Sequence, residues 1–314
     1  MNTNIQLTTI IPEEISGLRL DQALAQLFPD YSRSRLQTWI KTGQVIVDGQ
    51  SLRAKDKITA GQEIHINAEL ITETTSLPQA IQLDIVYEDD SIIVINKPVG
   101  LVVHPGTGNA NNTLLNALLH RYPESANLPR AGIVHRLDKE TSGIMVVART
   151  LQAHHSLVSQ LHERTVKRQY LAIVNGTLIS GATIDQPIDR HPKQRTKMAV
   201  VEDGRPAITH YRISERFQAH TAIKVFLETG RTHQIRVHMA HIHHPIVGDQ
   251  VYGGRLKLPP HISETCREAL RSFKRQALHA KKLTLIHPCT LEEMTFAAPI
   301  PEDLVQLMEH LRAG

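Results

Sequence analysis

From Leu83 onward the apolar segments come as strand-sized runs that often succeed one another with no helix between them. Ser91–Asn96, Gly143–Ala148, Tyr170–Val174, Ala207–Ile213, Thr221–Glu228, Leu283–Ile286 and Met294–Phe296 read as strands. Helices fit Leu114–Leu119, Ala153–His162, Thr232–Ile242, His261–Lys274 and Pro301–Leu311. A parallel doubly wound sheet needs a crossover helix between most strands. The spacing therefore predicts an α+β fold with a mixed or largely antiparallel sheet.

The first part of the chain reads differently. Leu20, Leu24, Leu27 and Phe28 recur at helical spacing, and a second helix carries Leu36, Trp39 and Ile40 between an N-cap at Ser32 and a stop at Gly43. Val45–Val47 is a strand, Asp48-Gly49 a two-residue hairpin turn, and Ile64–Ile66 the closing strand. This predicts a small αα-β-hairpin module over residues 15–67. Residues 68–82, with Thr72, Thr74, Thr75, Ser76 and Pro78, read as a linker, and 83–314 as the larger domain.

Length enters here: 314 residues suit an unequal pair of domains. Two cysteines, Cys266 and Cys289, are too few for a disulfide framework, and no apolar run is long enough to span a membrane. The N-terminus lacks a signal-peptide pattern, so a reducing cytoplasm is the expected setting. The net charge of +4 and pI near 9.1 permit a polyanionic partner without demanding one. Distribution says more. Arg190, Lys193, Arg195 and Lys197 form one acid-free patch, and Arg33, Arg35, Lys41, Arg53 and Lys55 face only Asp48. Residues 1–75 hold seven basic and nine acidic side chains, so this module must bind through one face.

Two segments concentrate chemistry. His135-Arg136-Leu137-Asp138-Lys139-Glu140-Thr141-Ser142-Gly143 is a polar loop between two apolar strands, a rigid mount for a reactive carboxylate or an ordinary solvated turn. Gly230-Arg231-Thr232-His233-Gln234-Ile235-Arg236-Val237-His238 follows a strand end, with Thr232 as a possible cap. Arg231 at that junction can grip a carboxylate or phosphate, or simply lie on the surface. His233, His238, His241, His243 and His244 crowd the same helix, yet the Glu of a His-Glu-x-x-His zinc helix is missing. Packing, hydrogen bonding or RNA contact is the reading there. Gly106-Thr107-Gly108 lacks the third glycine of a dinucleotide loop, and neither a P-loop nor a Gly-x-Ser-x-Gly elbow occurs. No cofactor and no metal are expected.

Together these segments resemble the RNA pseudouridine synthases of the RluA class. His135–Gly143 is similar to their catalytic aspartate motif, Asn96–Pro105 to their N-terminal motif, and Lys167–Ala172 to the segment with the active-site tyrosine. Gly230–His238, followed by His244–Asp249, is similar to their basic motif. The first module resembles the S4 RNA-binding domain through Arg19-Leu20-Asp21, Ser32–Arg35 and Val45–Gly49. Within the class the chain is most similar to the member acting on the helix 69 stem-loop of 23S ribosomal RNA.

The resemblance implies isomerisation of uridine with Asp138 as nucleophile, Arg231 paired to it, and Tyr170 stacked on the uracil to take or relay a proton. It makes Arg136 the group that fills the gap left by a flipped base. Arg33, Arg35, Lys41, Lys193, Arg195, Lys197, His233 and Arg236 are the expected RNA contacts. The implied partner is 23S ribosomal RNA or a precursor large subunit, with the enzyme a monomer. Other readings are the same chemistry on another ribosomal or transfer RNA site, a non-catalytic ribosome-assembly protein, or an aspartate-nucleophile hydrolase. The hydrolase would want a second carboxylate, for which only Glu140 is nearby.

Overall fold

The computed structural model describes residues 4–28, 31, 33–69, 76–106, 109–256 and 258–314. Ser32, the Thr107-Gly108 pair and linker residues 70–75 lie outside them. The chain divides into two compact units, residues 1–75 with 124–131, and the remainder.

The first unit contains β1 (Asn4–Ile10), α1 (Leu20–Leu27), α2 (Arg33–Lys41), β2 (Val45–Val47) and β3 (Glu63–Glu69). Its antiparallel sheet has the order β1-β3-β2, so the unit is larger than the expected 15–67 span. The Asp48-Gly49 turn forms as its sequence dictates. Both residues have positive φ (48° and 76°), and Val47 and Gln50 exchange N–H···O bonds of 2.8 and 2.9 Å. It does not lead straight into the closing strand, however. Residues 51–62 detour past α1, where Ile58 is fully buried and exchanges backbone bonds with Gly17 and Leu18, before β3 returns to β2. Leu20, Leu24, Leu36, Trp39, Val45, Ile58, Ile64 and Ile66 make one core.

The second unit runs β4 (Ile85–Glu88), β5 (Ile92–Lys97), α3 (Leu114–Arg121), β6 (Ser142–Ala148), α4 (Leu151–His162), β7 (Lys167–Asn175), β8 (Ala182–Asp185), β9 (Ile188–Arg190), β10 (Met198–Val200), β11 (Ile208–Arg216), β12 (His220–Leu227), α5 (Gln234–His241), α6 (Glu264–Ser272), β13 (Leu278–Ile286), β14 (Glu293–Ala297) and α7 (Glu302–Ala313). The main sheet has the order β4-β5-β6-β13-β7-β12-β11-β8, with β14 on β13. Only the β13–β6 pairing is parallel among the described strands, as expected from the scarcity of crossover helices. β9 and β10 form a separate two-stranded ribbon.

Every residue of β6 is buried, which explains its unbroken apolar run. Ile144 and Val146 pack with Ile92, Val94, Leu283 and Leu285 and with Ala153 and Leu157 of α4. Thr113 and Thr150 cap α3 and α4 through their side chains. Part of the expected linker is fixed in place: Asn116 Nδ2 donates to Leu77 O (2.7 Å) and Gln79 N to Asn116 O (3.0 Å). None of the described helices is long and apolar enough to cross a membrane.

Candidate active site

The polar loop after Val134 is pinned residue by residue. His135 Nε2 accepts the Val146 N–H at 3.0 Å, which puts the ring proton on Nδ1. Burial, reinforced by the Arg168 charge, lowers the His135 pKa to about 3, so the ring is neutral. Thr141 N–H donates back to Asp138 O at 3.1 Å. Lys97 Nζ donates to Lys139 O (3.1 Å) as well as to Pro98 O and Leu101 O. Arg275 Nη1 reaches Glu140 O (3.5 Å), Gln276 Nε2 donates to Thr141 Oγ1 (3.1 Å), and His279 Nδ1 pairs with Ser142 Oγ (3.0 Å). All four anchoring side chains are buried. Burial brings the Lys97 pKa down to about 8 against the opposing pull of Glu140 and Asp138. Gly143 ends the loop at φ 117°, and a Cβ there would lie 2.2 Å from Ala280 O. A side chain at 143 would prevent the β6–β13 pairing.

Asp138 is thereby presented with its carboxylate 19% exposed. Its cationic partner is Arg236, whose Nη1 donates to Oδ2 at 2.9 Å. This corrects two expectations: Arg231 does not pair with Asp138, and Arg236 is not a free RNA contact. Arg231 Nε instead donates to Pro206 O at 3.1 Å. The reason is local backbone geometry. Helix α5 starts at Gln234 with His233, not Thr232, as its N-cap, in the left-handed conformation (φ 57°). That turn separates Arg231 from the helix and aims its third residue, Arg236, at Asp138. Gln234 locks the junction: its Oε1 accepts from Arg231 N and Thr229 Oγ1, while Nε2 donates to Ile208 O.

Two groups escaped the residue-level reading. Asp249, fully buried, accepts Arg236 Nε and Nη2 at 2.7 and 2.9 Å and the backbone N–H groups of Val251 and Tyr252. Burial alone would raise its carboxyl, but these bonds hold it below the usual range. Asp249 and Asp138 in turn raise the Arg236 pKa despite its burial. Tyr252 lies with its ring 5.0 Å from the Arg236 guanidinium. Its hydroxyl accepts the Met198 N–H (2.9 Å) and meets His233 Nδ1 (2.8 Å). The signal for Asp249 was an acid closing the apolar run Pro245–Gly248.

His233 joins the site as a neighbour of Asp138, Nε2 to Oδ1 3.9 Å. Burial depresses its pKa, Asp138 opposes this, and Arg236 and Arg136 reinforce it. Arg136 is exposed beside the loop. Tyr170 is buried on β7, opposite Val225 and Ala280. Burial raises its phenol, with Arg168 opposing and the Asp138 charge adding, so the hydroxyl is un-ionised at neutral pH. Lys193 and Arg195 are exposed and Lys197 half-buried in the β9–β10 turn, whose strand β10 is tied to Tyr252 through Met198. Lys41 is exposed on α2, Arg35 half-buried, and Arg33 shares the buried Asp21 with Arg19 and Gln37, its Nη2 2.7 Å from Oδ2. His238 is buried between Thr209 Oγ1 and Gln186 O. Among the described residues no group of three His, Cys, Asp or Glu is placed to hold a metal ion.

Comparison with known proteins places the chain among relatives of one kind. Residues 91–241 match the RNA pseudouridylate synthase family, and residues 18–64 match the S4 domain. The ribosomal large subunit pseudouridine synthase D of Xanthomonas campestris is 57% identical over 96% of this chain and 92% of its own. Its namesakes in Pseudomonas aeruginosa and Escherichia coli K12 are 56% and 55% identical, over 99% and 100% of this chain and 98% and 96% of theirs. The solved structure of human RNA pseudouridylate synthase domain containing 4 is 28% identical with a TM-score of 0.58, covering 73% of this chain and 93% of that one. On these bacterial matches, nearly full-length and more than half identical, the chain belongs to the RNA pseudouridylate synthase family.

Proposed function

We propose that this enzyme isomerises uridine to pseudouridine in 23S ribosomal RNA of the large subunit, at the helix 69 stem-loop. The observation that carries the chemistry is Asp138, a carboxylate 19% exposed whose Oδ2 is fixed by a buried guanidinium while Oδ1 accepts no such bond from it. The names of the bacterial relatives support the choice of large-subunit RNA.

In the reaction the uracil N1–C1′ bond breaks, the base turns, a C5–C1′ bond forms and the C5 hydrogen leaves as a proton. Asp138 attacks and is released again, so nothing is consumed. Arg236 holds the carboxylate ionised and oriented. Tyr170 stacks on the uracil, and its neutral phenol relays the C5 proton, taking one as it gives one up. The uridine must leave its stack, at a cost of a few kcal/mol, least for a loop base. Arg136 fills the space left behind.

Lys193, Arg195 and Lys197 hold phosphates on the larger domain, and Arg35, Lys41 and the exposed part of Arg33 do so on the S4 module. We divide the chain within the expected linker 68–82, after β3 ends at Glu69 and before the bonds of Leu77 and Gln79 to Asn116. A ribosomal substrate implies a cytoplasmic enzyme, acting as a monomer.

Tritium release from RNA labelled at uridine C5 tests the reading. The wild type is expected to release tritium from a 23S transcript. Asp138→Asn is expected to bind the same RNA and release none. Binding without release by the wild type would refute the reading, and free uracil as product would indicate a hydrolase.

A further inference from the structure

Arg231 stands on the turn between β12 and α5, two residues before His233. Its side chain makes one hydrogen bond to the described residues, from Nε to Pro206 O, which leaves both terminal nitrogens of the fork available. The preceding residue, Arg205, is exposed and its side chain bonds to no carboxylate among the described residues. Its backbone is fixed by a reciprocal pair with Ile188, 3.0 Å from Arg205 N to Ile188 O and 2.9 Å in return. Arg164 enters from the end of α4, at φ 63°, and touches Glu228 Oε2 at 3.1 Å. Glu228 is already shared with His210 at 2.7 Å.

Three guanidinium groups from separate segments therefore share one neighbourhood: Arg231 rests on the carbonyl of Pro206, the residue after Arg205, and Arg164 pairs with Glu228, three residues before Arg231. Such crowding is unfavourable by itself: burial, then Arg205, then Arg164, all push the Arg231 pKa down. An anion relieves it, and the planar forks suit the paired oxygens of a phosphodiester. The cluster follows β12 directly into the turn that carries His233, whose Nε2 lies 3.9 Å from Asp138 Oδ1, and its residues are distinct from the Lys193–Lys197 hairpin.

We propose that Arg164, Arg205 and Arg231 form a seat for one backbone phosphodiester of the RNA, next to the extruded uridine. The proposal rests on the uridine-isomerisation reading above. It gives Arg231 the phosphate-gripping role, in keeping with a side chain that turns to Pro206 while Arg236 takes Asp138.

The test is a cycle of protein and RNA changes read by tritium release from a helix 69 hairpin. The RNA change replaces single phosphates flanking the target uridine by uncharged methylphosphonates. The protein changes are Arg231→Ala and Arg205→Ala, the latter removing an exposed side chain that pairs with no carboxylate among the described residues. Each substitution is expected to lower kcat/KM about tenfold on the all-phosphate hairpin. One methylphosphonate is expected to cost the wild type a similar factor, and to cost either variant less than twofold. The salt dependence of RNA binding should flatten by about one phosphate in both variants. Independent, multiplying losses at every flanking phosphate would overturn the seat while leaving the isomerase reading intact. Absence of release by the wild type from all large-subunit RNA would overturn both.

Discussion

Arg236 joins Asp138 to Asp249 through a single guanidinium, with Nη1 2.9 Å from Asp138 Oδ2 and Nε and Nη2 on the two oxygens of Asp249 at 2.7 and 2.9 Å. The buried Asp249 fixes the fork, and the fork fixes the reactive carboxylate. One guanidinium is thus shared between two carboxylates, and Oδ1 of Asp138 is left without a bond from it.

Arg236→Lys keeps the charge but cannot bridge two carboxylates in this geometry. Tritium release is expected to fall at least about a hundredfold, the scale of a misplacement near 1 Å. Arg231→Lys, which retains a cation for phosphate, is expected to lose less than tenfold. Arg236→Met leaves Asp249 buried without its partner and should cost about 3–5 kcal/mol in urea unfolding. Equal losses for the two lysine variants would contradict the assignment of Arg236.

Tyr170 is expected to separate into two contributions. Tyr170→Phe keeps the ring and removes the relay, with a loss of about a hundredfold in single-turnover rate. Tyr170→Ala also removes the stacking surface, worth about 1–3 kcal/mol per base, and should be slower by a further factor of about ten or more. A phenylalanine variant as fast as wild type would remove the proton relay from the mechanism.

Gly143→Ala tests the end of the catalytic loop. The added methyl meets Ala280 O at 2.2 Å in a backbone conformation that side chains rarely adopt. Strain alone costs about 1–3 kcal/mol. A lowered thermal midpoint together with reduced kcat is the expected result, because the strand that moves, β6, anchors the end of the loop bearing Asp138. An alanine variant of wild-type stability would show that β6 and β13 can separate there freely.

Acid should weaken the larger unit through three histidines kept neutral mainly by burial. His135 has a pKa near 3, and His220 and His279 near 4. In the unfolded chain each takes up its proton near 6.5. Their stabilisation is therefore complete above pH 6.5 and is lost as pH falls toward the folded-state values, at about 1.4 kcal/mol per pH unit for each group. Urea unfolding between pH 7.5 and 5 should report this fall, and a flat profile would contradict it.

Much of the sheet was legible beforehand. Seven strands followed from apolar runs, and the lack of helices between them indicated mixed pairing. The strands that were not legible, such as β1, β4 and β8–β10, are short or half-exposed, with no buried run to mark them. The detour at residues 51–62 was hidden because its anchor, Ile58, is one apolar residue among polar ones. His135–Gly143 stood out as a polar stretch between two apolar runs, a pattern that an ordinary solvated turn shares, and its function was legible only through the resemblance.

The sequence by itself determined the α+β class, the two-part organisation and the family, since these depend on local periodicity and on motifs in order. It also singled out Asp138 and Tyr170. Only the tertiary structure decided which arginine serves Asp138. Arg231 and Arg236 lie five residues apart in one basic motif, and Asp138 is about a hundred residues away from both. The choice turns on the left-handed His233 and the start of α5, and on Asp249, whose burial orients the guanidinium. Pairing across such distances is set by how strands and helices pack, which no local pattern records.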